Sequence, residues 1–201
     1  MTHITWATPL YEFLRQCSES APEKSILDCG AGGKRPPLSL FYQHGFTTCG
    51  IEIQQETLAE ALSFCRKNKM PLNIFRGDMR SIPFKTESFG CAYSFNAIFF
   101  MTKTDIRTAI GEIKRVLKPG GLCFVNLKSV DDPDDGAFCD TAYARNLLNS
   151  ERFSKFEDDE VDSYFENFEI LRKEKRLIDK KLESGDRLIQ AFIDYIVRKD
   201  R

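Results

Sequence analysis

Apolar positions along this chain fall into two alternating patterns. Short continuous runs (Ser25 to Cys29, Phe46 to Ile53, Leu72 to Phe75, Phe89 to Phe95, Leu122 to Leu127) have the length and density of strands buried on both faces. Between them, apolar residues recur every three or four positions. Leu10, Phe13, Leu14 and Cys17 follow Thr8-Pro9, and Leu58, Ala61, Leu62 and Cys65 mark a further helix. Pro36-Pro37 opens a short helix closed by Gly45. Ile106, Ile110, Ile113, Val116 and Leu117 form one face of a helix capped by Thr104 and ended by Lys118-Pro119-Gly120-Gly121. Such strands, each followed by a helix, predict a single α/β domain over residues 1–201 around a mostly parallel sheet. Residues 1–24 would form a helical cap.

The alternation changes after residue 128. Residues 129–154 are polar, include Asp131-Asp132-Pro133-Asp134-Asp135-Gly136, and read as a long substrate loop or lid. Glu157 to Asn167 reads as a helix with an acidic start. Phe168 to Ile178 and Leu188 to Val197 flank Ser184-Gly185 and predict an antiparallel hairpin, although Leu188, Phe192 and Tyr195 also fit helical spacing.

Charge and cysteine usage narrow the partners. The formal net charge is −1 and basic residues are interleaved with acidic ones, so no basic stripe marks a nucleic-acid surface. Seven scattered cysteines form no C-x-x-C pair, and only His3 and His44 could join them, so no metal is expected. Unpaired thiols in apolar runs, no leader pattern and no apolar span of bilayer length predict a cytoplasmic chain without a membrane partner.

Three strand ends carry candidate chemistry. Asp28-Cys29-Gly30-Ala31-Gly32-Gly33 closes the first strand with a turn that lets backbone approach a ligand. Glu52, twenty positions after Gly32, ends the second and can accept from two ribose hydroxyls. Gly77-Asp78-Met79 follows the third, where a carboxylate can accept from an adenine amino group and a methionine can pack on the ring. Singly, each also reads as a tight turn, a solvated strand end or a turn residue. In order on successive strands, they point to adenosine. Counting G-x-G-x-x-G from Gly30 puts Arg35 in the third position, which argues against a dinucleotide.

Residues 25–128 resemble the class I S-adenosylmethionine-dependent methyltransferases, in particular the branch acting on small molecules. Ile26 to Gly32 looks like the family's first motif, Gly50-Ile51-Glu52-Ile53 its second, Gly77-Asp78-Met79 with Ile82-Pro83-Phe84 and Ser88-Phe89 the adenine-contacting segment, and Leu117 to Gly121 the lead into strand five. The chain departs from that pattern at Lys34, where another glycine is common, and at Gly90, where the family often has aspartate. The resemblance implies a Rossmann-like three-layer sandwich with a seven-stranded sheet whose C-terminal strand is antiparallel. It also implies S-adenosylmethionine as cofactor, held by Asp28, Gly30, Ala31, Gly32, Glu52, Ile53, Asp78, Met79 and Asn96, and a small-molecule acceptor.

The segment Ser94 to Met101 should then lie beside the transferred methyl; it lacks the Asn/Asp-Pro-Pro-Tyr signature of amide and nucleobase amino-methylating relatives. Asn96 either orients a ligand there or bonds its own loop. Phe99, Phe100 and Met101 are expected in the core rather than on a pocket wall. Trp6 and Tyr11 serve either as a lid or as packing, His3 lies in a solvated terminus, His44 ends a helix, and Cys139 is incidental. No general base is evident. A non-catalytic cofactor-binding sensor with the same fold is the alternative reading.

Overall fold

A computed structural model describes residues 8–133, 154–181 and 187–200. Helix α1 (Thr8–Ser20) leads into β1 (Ser25–Cys29), followed by α2 (Leu38–Gln43), β2 (Thr47–Glu52), α3 (Gln55–Asn68), β3 (Ile74–Arg76), β4 (Phe89–Ser94), a 3₁₀ turn (Ile98–Phe100), α4 (Lys103–Val116) and β5 (Leu117–Ser129). The C-terminal part holds β6 (Lys155–Phe156), a second 3₁₀ turn (Asp162–Phe165), β7 (Phe168–Lys181) and β8 (Arg187–Lys199). The strands lie in the order β3-β2-β1-β4-β5-β8-β7, with the two-residue β6 beside β5. β1 to β5 pair in parallel, whereas β8 runs antiparallel to both β5 and β7.

Alternation along each strand divides the core in two. Ile26, Tyr93, Leu122 and Phe124 face a layer formed by α1, α2 and α3, through Phe13, Phe41 and Leu58 among others. Leu27, Ala92, Cys123, Val125 and Tyr195 face the opposite layer, where α4 contributes Ile106, Ile110, Ile113 and Val116. This is the expected three-layer sandwich. β1 and β4 are buried along their whole length because helices cover both faces. The hairpin reading of the C-terminal segments holds, and both extend beyond their apolar cores.

Three local expectations are corrected. Helix α4 begins two residues earlier than expected: Thr102, not Thr104, is the cap, and its hydroxyl accepts from the Asp105 N–H at 3.1 Å. Asp105 in the first turn then faces the positive end of the helix, so the earlier start satisfies two requirements at once. Residues 157–167 form turns and a single 3₁₀ turn rather than an α-helix. Their acidic side chains are drawn to β7 instead: Lys173 Nζ lies 2.6 Å from Asp159 and 2.8 Å from Asp162, and Lys175 Nζ is 2.7 Å from Asp158. Burial of Val161 and Phe165 fixes the remaining geometry, and tertiary pairing outweighs the weak helical tendency of so short a segment. Finally, Lys118-Pro119-Gly120-Gly121 lies within the bounds of β5, bulging between the Phe89–Leu117 and Cys91–Leu122 pairs.

Candidate cofactor site

The strand order reverses between β1 and β4, which places a crevice at their carboxyl ends. A cavity of about 620 Å³ opens there, within the usual range for small-molecule sites. Gly30, Gly32 and Gly33 line it from β1, Glu52, Ile53 and Gln54 from β2, Gly77 to Arg80 from β3, and Asn96 and Ala97 from β4. Ile51 of β2, Thr57 of α3, Phe100, Met101, Thr102 and Asp105 complete the wall.

Backbone hydrogen bonds hold the glycine turn. The N–H groups of Gly30 and Ala31 both donate to the Ile51 carbonyl, at 2.9 and 3.0 Å, and that of Gly33 donates to Thr57 at 2.8 Å. Gly30 has φ +111°, and a Cβ there would lie 2.3 Å from Cβ of Ala97, so only glycine lets β1 and the loop after β4 meet. A Cβ on Gly32 would lie 2.4 Å from Oε2 of Glu52, the carboxylate itself filling that space. Gly33 faces open room, with nothing within 4 Å of a Cβ built on it. Lys34, where another glycine is common, is not among the lining residues.

Glu52 is 9% exposed, and its Oε1 accepts from the Gln54 N–H at 2.8 Å. Burial raises its carboxyl above the usual range, opposed by hydrogen bonds involving Gln54, Thr57, Gly32 and Ile53. Asp78 is held below its usual value by Arg80, whose Nη2 lies 2.7 Å from Oδ2 and whose backbone N–H donates to Oδ1 at 2.9 Å. Arg80 also reaches Asp105 at 3.4 Å, so it bridges β3 and α4 across one rim.

Seven of the nine expected residues therefore line one cavity: Gly30, Gly32, Glu52, Ile53, Asp78, Met79 and Asn96. Asp28 and Ala31 do not. Asp28 is 1% exposed behind the turn, where its Oδ2 accepts from the Tyr93 hydroxyl at 2.7 Å. Ala31 points into the core, where its methyl group occupies the space above Gly50. Of the residues expected in the core, Phe99 is fully buried, whereas Phe100 and Met101 reach the cavity. Tyr11 is exposed on α1 and is not among the lining residues, and His44 ends α2 with Nδ1 2.9 Å from the Leu40 carbonyl. His3, Trp6, Cys139 and most of the 129–154 loop lie outside the described residues.

Sequence reasoning missed Thr57, Arg80, Asp105 and the buried Asn126. Thr57 and Asp105 sit on helix starts after β2 and β4, a position at which a polar side chain can face a crevice. Asn126 interrupts an apolar strand and was the one visible signal.

Burial pushes the Asp28 carboxyl up to about 8, against the lowering effect of the Tyr93 hydrogen bond. The unfolded chain releases that proton near about pH 4. Between the two values the folded state binds more protons, so this group's contribution to stability falls as pH rises through the window. Asp28→Asn should flatten the slope, with a gain above about pH 8 bounded by roughly 5 kcal/mol. Urea midpoints at about pH 5 and about pH 9 measure it; parallel shifts at both would mean that Asp28 stays ionised throughout.

Residues 27–125 match a family described as a methyltransferase domain. A 24-methylenesterol C-methyltransferase 2 from Oryza sativa subsp. japonica is 31% identical over 106 residues, 52% of this chain and 29% of that protein. The chain spans less than half the length of the curated relatives it matches. Among solved structures, TehB from Haemophilus influenzae superposes with a TM-score of 0.74 at 15% identity, covering 98% of this chain and 64% of that one. A Burkholderia thailandensis 1,6-didemethyltoxoflavin-N1-methyltransferase, bound to its namesake ligand and S-adenosylhomocysteine, gives 0.69 at 13% identity over 96% and 78% of the two chains. In its strand order, its glycine turn and its sequence over residues 27–125, the chain is similar to this methyltransferase domain family.

Proposed function

We propose that this chain transfers the methyl group of S-adenosylmethionine to a small-molecule acceptor. The observation that carries the reading is the order of the strands. Asp78, Glu52, Gly30 and Asn96 lie at or just past the carboxyl ends of β3, β2, β1 and β4, which are consecutive neighbours in the sheet. Adjacent strands are about 4.8 Å apart, so these groups span roughly 14 Å, and an extended adenosylmethionine has that reach.

The residues suit the group. Asp78 would accept from the adenine amino group beside Met79 and Ile53. Glu52 would accept from the ribose hydroxyls, and the open space at Gly33 leaves room for the nucleoside. Asn96 and the Gly30 turn would meet the methionine end. Bound there, the cofactor supplies an electrophilic methyl on a sulfonium. Asp28 would act from behind the turn, and Ala31 by packing it.

The titratable lining residues Glu52, Asp78, Arg80 and Asp105 each hydrogen-bond a neighbour, so none stands out as a proton acceptor. An acceptor carrying its own lone pair fits such a site, where catalysis comes from alignment and exclusion of water by Phe100 and Met101. The sterol methyltransferases and the toxoflavin enzyme among the relatives act, by their names, on small molecules, which supports that acceptor class. The 129–154 stretch is the candidate for acceptor choice and residues 1–24 for a cap. No described helix is long and apolar enough to cross a membrane, and the near-neutral charge offers little to nucleic acid, in keeping with a cytoplasmic enzyme.

Isothermal titration should give a dissociation constant on the order of micromolar for S-adenosylmethionine and S-adenosylhomocysteine. An acceptor panel read by S-adenosylhomocysteine release should then identify turnover. Folded protein that binds neither compound overturns the proposal; binding without turnover on any acceptor would favour the sensor alternative.

A further inference from the structure

We propose that Asn126, in the middle of β5, is a positioning residue that turns the Asn96 amide so that its NH2 group faces the cavity, where it meets the carboxylate of the cofactor's methionine end. The inference rests on the adenosyl reading of the cavity given above. Asn126 is fully buried, while Asn96 lines the cavity in the left-handed region at φ +55°. The two amides are locked reciprocally. The backbone N–H of Asn96 donates to Asn126 Oδ1 at 2.7 Å, and Asn126 Nδ2 donates to Asn96 Oδ1 at 2.6 Å.

The orientation of both side chains follows from one unambiguous donor. A backbone N–H can only donate, so the atom of Asn126 that receives it is the carbonyl oxygen. The other end of the Asn126 amide is then the NH2, which requires an acceptor, and Asn96 must present Oδ1 to it. The Asn96 NH2 is left as the free end at the cavity, a pure donor. Strand order assigns Asn96 to the methionine end, three neighbours from Asp78. That end carries an ammonium and a carboxylate, and only the carboxylate accepts from an NH2 group. An acceptor in the same place would repel it.

Asn126→Asp tests this directly. A carboxylate still accepts from the Asn96 N–H, but its second oxygen opposes Asn96 Oδ1. The Asn96 amide should then rotate, donate to residue 126 and present its oxygen to the cavity. Titration uses S-adenosylhomocysteine and 5′-methylthioadenosine, which shares the adenosyl group but has no amino-acid end. The dissociation constant of S-adenosylhomocysteine should rise roughly 10- to 100-fold, and that of 5′-methylthioadenosine should stay within about twofold. Parallel weakening of both ligands would mean that Asn126 merely supports the fold, and unchanged binding of both would mean that Asn96 does not meet the carboxylate; either overturns the proposal. If the buried carboxylate prevents folding, Asn126→Ala leaves the Asn96 amide free to rotate and should show the same selective loss at about three- to tenfold. Wild-type protein that binds neither ligand removes the adenosyl reading itself, and this inference with it.

Discussion

Replacing Glu52 by alanine should weaken S-adenosylhomocysteine binding by roughly 100-fold or more, because two hydrogen bonds to a charged acceptor are lost together. The side chain is already in place for that role. The Gln54 N–H fixes one carboxylate oxygen, and the other rests against Gly32, whose missing Cβ gives it room. The same change should leave thermal stability level or slightly raised, since burial already pushes this carboxyl above its usual value and the substitution removes a desolvated acid. Loss of affinity with an unchanged melting temperature therefore separates a binding role from a structural one. Glu52→Gln, which keeps one acceptor oxygen, should fall between the two, and unchanged titration of the alanine variant would place the ribose elsewhere.

The largest expected loss of stability is at Gly90, where the sequence departs from the motif pattern that it otherwise resembles. A Cβ built there lies 2.0 Å from the Glu23 carbonyl oxygen and within 2.9 Å of two further backbone atoms of Glu23. The Gly90 N–H meanwhile donates to Ser25 Oγ at 2.9 Å inside the buried strand pair. A backbone neighbour cannot rotate aside as a side chain could, so β1 and β4 would have to part. Gly90→Ala should cost roughly 3 kcal/mol or more, and Gly90→Asp more again through burial of an unpaired carboxylate. Urea midpoints check this. A Gly90→Ala midpoint equal to wild type would show that the Glu23 segment yields at no cost. The departure from the family pattern is thus a matter of local packing between Pro22-Glu23 and β4, remote from the cofactor cavity.

How much was readable in advance depended on the range of the interaction. The strands β1, β2, β4 and β5 were legible because burial on both faces of the sheet favours dense apolar runs, and the hairpin was legible because turn residues separate two apolar segments. Residues 157–167 were misread because their acidic start suits a helix dipole equally well as it suits Lys173 and Lys175, which lie across the sheet edge and ten or more positions away. Thr102 and Thr104 are equivalent caps by composition; Asp105 three residues after Thr102 distinguishes them. Phe99 and Phe100 are adjacent and chemically identical, yet a tight 3₁₀ turn sends one into the core and the other to the cavity. Nothing in a one-dimensional pattern separates such a pair.

Hydrophobic periodicity and glycine placement sufficed for the fold class, because each strand–turn–helix unit is local; acidic and amide residues at successive strand ends pointed to adenosine, and the resemblance to a known family supplied S-adenosylmethionine. Tertiary structure alone decided that Asp28 sits behind the turn on Tyr93, that Arg80 spans Asp78 and Asp105, and that Asn126 grips Asn96. Each of those depends on two or more segments meeting side by side in the sheet or across the cavity, and hydrogen-bond geometry between distant segments is set only when the layers close.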